Sequence, residues 1–162
     1  MMQPVSVPTL SICLTCRDGR EAACDDKRGG ARLADAICDL VASRGCDAHL
    51  RGVRCMSQCK RACVVSLTAP GSFTYLFGDL DPENTAHAQA ILDLIPLYRA
   101  APEGFVSRDA RPEPLRSAIL GRLPPSAQRL SLSMNWARCG GWTRELPARH
   151  SCRPHARRRV LG

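Results

Sequence analysis

The placement of the cysteines narrows the choices for this chain more than any other feature. Cys13 and Cys16 form a C-L-T-C pair at the end of an apolar, β-branched run, and Cys55, Cys59 and Cys63 form C-M-S-Q-C-K-R-A-C farther along. If both groups follow parallel neighbouring strands, they meet at one end of a sheet. Two short chelating loops then supply the four thiolates that suit a two-iron cluster or structural zinc. A lone C-x-x-C also fits a thioredoxin-type dithiol. Such dithiols open a helix that lowers the thiol pKa, whereas Arg17-Asp18-Gly19-Arg20 after Cys16 reads as a loop. A dithiol would also leave the second group without a role.

Spacing alone leaves the ligand set open. Cys13, Cys24, Cys55 and Cys59 serve as well as Cys13, Cys16, Cys55 and Cys59, and Cys63 can replace one of them. Cys38 falls on the apolar side of a predicted helix and is expected in the core. Cys46 reads as a loop thiol, and Cys139 and Cys152 receive no role. His49, His87, His150 and His155 are scattered, with His87 expected on a solvated helix face.

There are ten cysteines in 162 residues. Disulfide scaffolds belong to short secreted chains. The opening MMQPVSVPTLSICLTC lacks a basic n-region and is interrupted by Pro4 and Pro8. It reads as no signal peptide, and no segment is long enough to span a membrane. The expectation is a cytoplasmic chain with reduced thiols.

Residues 9–16 read as a first strand, 17–30 as a loop, and Leu33, Ala34, Ile37, Leu40 and Val41 mark a helix ending at Arg44-Gly45. Residues 48–55 make a second strand. Residues 64–69 and 73–80 form a hairpin about Pro70-Gly71-Ser72. A second helix opens at Asp81-Pro82-Glu83-Asn84 and ends near Tyr98. This β-α-β-β-β-α order predicts an α/β, thioredoxin-like fold with a mixed four-stranded sheet. The expected organisation is a flexible stretch over 1–8, the cysteine-bearing domain over 9–100, a Pro-rich extension packed on it over 101–125, and a disordered or non-native basic tail over 126–162.

Charge supports that division. Residues 1–125 hold 15 Lys plus Arg against 14 Asp plus Glu, while 126–162 hold eight Arg and one Glu. The basicity belongs to the tail and is no organised footprint for nucleic acid. Paired catalytic carboxylates, a Ser/His/Asp set, a P-loop and a dinucleotide fingerprint are all missing, so the chain reads as no enzyme of those classes.

The motifs carry a resemblance. C-L-T-C-R (13–17), the Cys55–Cys63 group, P-G-S-F-T-Y-L-F-G-D-L-D-P (70–82), R-P-E-P-L-R (111–116) and I-L-G-R-L-P-P (119–125) stand in the order of an uncharacterised bacterial family of predicted metal-binding proteins. More broadly, Cys13, Cys24, Cys55 and Cys59 are similar to the pattern of thioredoxin-like two-iron ferredoxins, including the small subunit of respiratory NADH dehydrogenases. Ala62 departs from the closer family, where proline is expected. The closer resemblance implies metal ligands among Cys13, Cys16, Cys55, Cys59 and Cys63, with Cys63 held in reserve. The broader resemblance implies a [2Fe-2S] cluster, the closer one implies zinc or cobalt handling linked to cobalamin metabolism as the alternative, and the C-x-x-C pair leaves thiol–disulfide exchange as a third. The implied partner is a redox or metal-handling protein, with no nucleic acid and no membrane. Asp79 and Asp81 are expected to cap the turn and helix that follow them.

Overall fold

A computed structural model describes residues 6–126. The expectation of a disordered or non-native tail over 126–162 falls, from residue 127 on, outside the described residues. Five strands form one sheet: β1 (Thr9–Cys13), β2 (His49–Val53), β3 (Val65–Thr68), β4 (Thr74–Phe77) and β5 (Ile119–Leu123), in spatial order β2-β1-β3-β4-β5. Helix α1 (Gly29–Arg44) joins β1 to β2, which run parallel. The β3–β4 hairpin is antiparallel, and α2 (Thr85–Ala100) follows it. This is the thioredoxin-like layout.

The register explains the core. Leu10 lies opposite Leu67 and Ile12 opposite Val65, while Val65 and Leu67 face Phe77 and Tyr75 in turn. All six are buried on one side of the sheet, as the period of two requires. Leu33 and Ile37 of α1 and Ile91, Leu94, Ile95 and Tyr98 of α2 join them in one cluster. Tyr98 meets Tyr75 edge to face at 6.0 Å. Each large side chain buried there contributes about 1.5–3 kcal/mol. Most alternate positions are polar: Arg51 donates to the Ser11 hydroxyl across β1–β2, and the hydroxyls of Thr68 and Thr74 pair across the hairpin.

Three details differ from the sequence reading. The sheet has a fifth strand, because Ile119–Leu123, inside the Pro-rich extension, pairs antiparallel with β4. Helix α2 begins at Thr85 rather than at Pro82. Its cap is Asn84, whose side chain accepts the Ala86 N–H. Cys38 is exposed rather than in the core: Leu33 and Ile37 take the buried stripe, and the next position turns outward.

Candidate metal centre

The loops that carry the two cysteine groups leave the same end of the sheet. Because β1 and β2 run parallel with Cys13 opposite Val53, the loops that follow them leave the same end of the sheet. Strand β3 runs the other way, so the residues just before it, including Cys63, start from that end as well. The Cys13 N–H donates to the Val64 carbonyl, and the Leu14 N–H to the Val53 carbonyl. The Cys13 sulfur lies 3.9 Å from the Arg54 carbonyl oxygen, to which the Thr15 hydroxyl also donates.

The five sulfurs are placed in two ways. Cys13, Cys16 and Cys63 are buried, at 3%, 3% and 0% exposure, whereas Cys55 and Cys59 are exposed. Burial pushes the Cys16 thiol up to about 12, aided by the nearness of Cys13 and Cys63. Burial also pushes Cys13 up, but contacts from the Cys16 thiol, the Met56 and Thr15 backbone and the Thr15 hydroxyl outweigh it, and Cys13 is lowered on balance. Burial takes Cys63 to about 12, with the Asp18 carboxylate adding to the rise and Arg32 opposing it. On the loop, the Ser57 N–H donates to the Cys55 sulfur at 3.2 Å. Among the described residues, no three His, Cys, Asp or Glu side chains stand together as a ready ion site. The buried sulfurs and the loop sulfurs share one end of the sheet without closing on a common point. Cys24, the alternative ligand, is half-buried beyond a short 3-10 turn at Glu21–Ala23, within electrostatic reach of Arg32.

The sequence reading placed a loop after Cys16 and used this against a dithiol. The structure keeps the loop and brings a helix to it nonetheless. The Gly30 N–H donates to the Cys16 carbonyl, and a Cβ on Gly30 would collide with the Cys13 carbonyl oxygen and sit 3.2 Å from the Cys16 Cβ. The N-terminal turn of α1 therefore abuts both cysteines. Its partial positive charge favours a negative group there.

Two polar systems hold this end together, and sequence reasoning missed both. Arg61 makes a forked ion pair with Asp79, while the Asp79 N–H donates to the Arg61 carbonyl. Cys63 and Leu80 exchange backbone bonds at 3.1 and 3.3 Å, and Gly78 leaves room for the Arg61 carbonyl, 2.5 Å from where a Cβ would stand. Asp79 thus tethers the cysteine loop instead of capping α2. Asp81 accepts the Glu83 N–H, as expected of a turn residue, and also pairs with Arg20. His87, expected in solvent, accepts the Asp81 N–H at its Nδ1, 2.8 Å away. Nearby, Asp18 pairs with Arg20 and Arg32, and Arg32 reaches Glu83. The signal for these pairs lay in the G-D-L-D-P motif, whose acids face arginines distant in sequence.

No helix of the described residues is long and apolar enough to cross a membrane. No curated protein matches the chain. Among solved structures, a thioredoxin-like [2Fe-2S] ferredoxin from Aquifex aeolicus is similar at 16% identity and a TM-score of 0.44, over 75% of this chain and 98% of that one. The family described as "Protein of unknown function (DUF1636)" matches residues 10–125, which span β1 to β5 and every cysteine of the two groups, and the chain belongs to that family.

Proposed function

We propose that this protein holds a metal centre on Cys13, Cys16, Cys55 and Cys59, with Cys63 beside them, and that the centre is a [2Fe-2S] cluster serving a non-enzymatic electron carrier or cluster-bearing accessory protein. The observation that carries the reading is the convergence of the loops after β1 and β2 at one end of the sheet, with Cys63 entering from the same end. The donor set fits the group: all five are soft thiol ligands, and the Ser57 N–H already addresses the Cys55 sulfur. Bound there, the cluster would take up and release one electron at a time.

The chain's own residues prepare the site in definite ways. Cys13 and Cys16 are fixed by strand β1 and the start of α1, so their ordering is complete before any metal arrives. The N-terminus of α1 favours negative charge beside them. Burial of Cys16 and Cys63 excludes water from one side, while Cys55 and Cys59 leave the other open to a docked redox partner.

Protein purified without oxygen and assayed for iron, sulfide and visible absorption tests this. Red-brown protein bleached by dithionite supports it. Colourless protein with stoichiometric zinc or cobalt replaces the cluster with the metal-handling alternative.

One observation favours a second reading. Cys13 and Cys16 both abut the N-terminal turn of α1, with the Cys13 thiol lowered and the Cys16 thiol raised. That division of labour suits a dithiol, with Cys13 the attacking thiolate. Metal-free protein that forms a reversible Cys13–Cys16 disulfide would establish it.

A further inference from the structure

Away from the cysteines, on the β4–β5 side of the fold, Arg111 and Arg122 stand beside one ring, that of Tyr75, and Arg108 lies within electrostatic reach of Arg111. Arg111 is 6% exposed. Its Nε donates to the Val106 carbonyl at 3.4 Å, the only hydrogen bond its side chain makes among the described residues. Its guanidinium lies 5.6 Å from the centre of the Tyr75 ring. Burial lowers its pKa, and so does the positive charge of Arg122 and Arg108.

Arg122 is itself stacked on Phe105, 4.0 Å from the ring centre, and stands near Phe73 and Tyr75 at 5.5 and 6.0 Å. The ion pairs among the described residues include none of these arginines.

A buried guanidinium is normally paired with a carboxylate or saturated with carbonyls. Neighbouring Arg116 shows the structural pattern, donating to the Arg111 and Asp109 carbonyls at 3.1 Å each. Arg111 does not follow it. Arg99 Nε is the one buried side-chain nitrogen without a partner among the described residues, so the outer nitrogens of Arg111 reach solvent. The arrangement is rigid. The Tyr75 hydroxyl accepts the Val106 N–H and donates to the Val106 carbonyl, which fixes the loop bearing Arg108 and Arg111. Arg111 is held by burial and Arg122 by stacking, so their positive charges stay beside one ring, with Arg108 within electrostatic reach, and an anion would relieve that repulsion.

We propose that Arg108, Arg111 and Arg122 form a binding site for the phosphoryl group of a small molecule. Planar guanidinium forks match phosphate oxygens, and a multiply charged oxyanion answers three cations better than a single carboxylate does. The aromatic rings are already occupied in holding Arg122 and Arg111, so the recognised part is the anion itself. The site does not depend on which metal, if any, the cysteines hold.

The test titrates the full-length protein with inorganic phosphate and with pyrophosphate, following melting temperature and calorimetric heat, against sodium chloride at matched ionic strength. Saturable stabilisation by both anions and not by chloride is expected, with pyrophosphate binding more tightly. Arg108→Gln and Arg122→Gln, both at exposed positions, should each weaken binding by about tenfold while the protein still folds. Arg111→Lys keeps the charge but loses the fork and should also weaken it. A response no larger than that of chloride, or one undiminished in the Arg108→Gln/Arg122→Gln double variant, would overturn the proposal. Tight binding of a single-stranded oligonucleotide that pyrophosphate fails to displace would overturn it too, in favour of a nucleic-acid surface.

Discussion

Cys16 and Cys63 sit at the same end of the sheet as Cys55 and Cys59, yet the two pairs are built differently. The first pair lies in the hydrophobic core, with thiols raised to about 12 and backbone tied to β1, α1 and the segment after β4. The second pair lies on an exposed loop whose main restraint is the Arg61–Asp79 tether. The difference separates a part of the site that folding completes from a part that a bound metal would complete. A preorganised half lowers the ordering cost of assembling four ligands. An open half leaves a route for metal to enter and an edge for a partner.

The sharpest way to break this contrast is to remove ligands one at a time. Serine in place of Cys13, Cys16, Cys55 or Cys59 should lower retained iron by about tenfold or more, since even outer-shell changes at metal sites cost that much. Cys38→Ser should leave it unchanged, because that thiol faces solvent on α1. If Cys63→Ser empties the site while Cys59→Ser does not, the fourth ligand is Cys63, and the centre belongs to the buried half. Metal analysis of each variant, purified without oxygen, decides.

Most of the fold was legible because its signals are local. The apolar spacing of Leu33, Ile37, Leu40 and Val41, the alternation through β3 and β4, and Gly45 in a left-handed conformation at φ +74 all act over a few residues. The convergence of Cys13 with the Cys55 loop was legible too, because parallel pairing of β1 and β2 follows from the connecting helix. What stayed hidden depends on contacts between distant segments. Strand β5 has weak strand character of its own (Ile119-Leu120-Gly121-Arg122-Leu123) and forms because β4 offers an open edge. The Asp79–Arg61 tether joins segments that only the completed sheet brings together. Cys38 was misplaced because a helix turns each residue by a fixed angle, and a small hydrophobe beside the stripe can face either way.

The next prediction tests the preorganised half directly. Gly30→Ala places a methyl against the Cys13 carbonyl and the Cys16 Cβ. It should cost about 3 kcal/mol, the upper part of the overpacking range, because the obstruction includes backbone that cannot turn aside. Gly121→Ala on β5 meets nothing within 4 Å and should be neutral or stabilise by up to about 1 kcal/mol. Urea unfolding of both variants gives the comparison. Equal losses would mean that the α1–cysteine contact is looser than the structure shows.

Thiol labelling grades the two halves without mutation. In metal-free protein, Cys55 and Cys59 should react with a maleimide about tenfold or more faster than Cys16 and Cys63, because only the thiolate reacts and burial holds the latter two protonated. Metal should then slow the exposed pair. Peptide mapping after brief labelling reads the order, and fast modification of Cys63 would erase the distinction.

The smallest expected effect concerns acid. Burial raises the Asp18 carboxyl, but hydrogen bonds from Arg20 and the charges of Arg32 and Arg20 outweigh it and leave its pKa below the usual value. A carboxylate depressed in the folded state adds stability that is fully present above its unfolded pKa of about 3.9 and is lost as pH falls through the lower, folded value. Asp18→Asn should therefore lower stability at neutral pH and flatten the loss seen below about pH 4, with the two proteins converging in acid. Asp18 also lies within electrostatic reach of Cys63, so the same variant should ease ionisation of that thiol and raise its labelling rate modestly. A variant whose acid limb stays as steep as that of the parent would show that Asp18 gains nothing from Arg20 and Arg32 on folding, and that burial alone orders this end of the sheet.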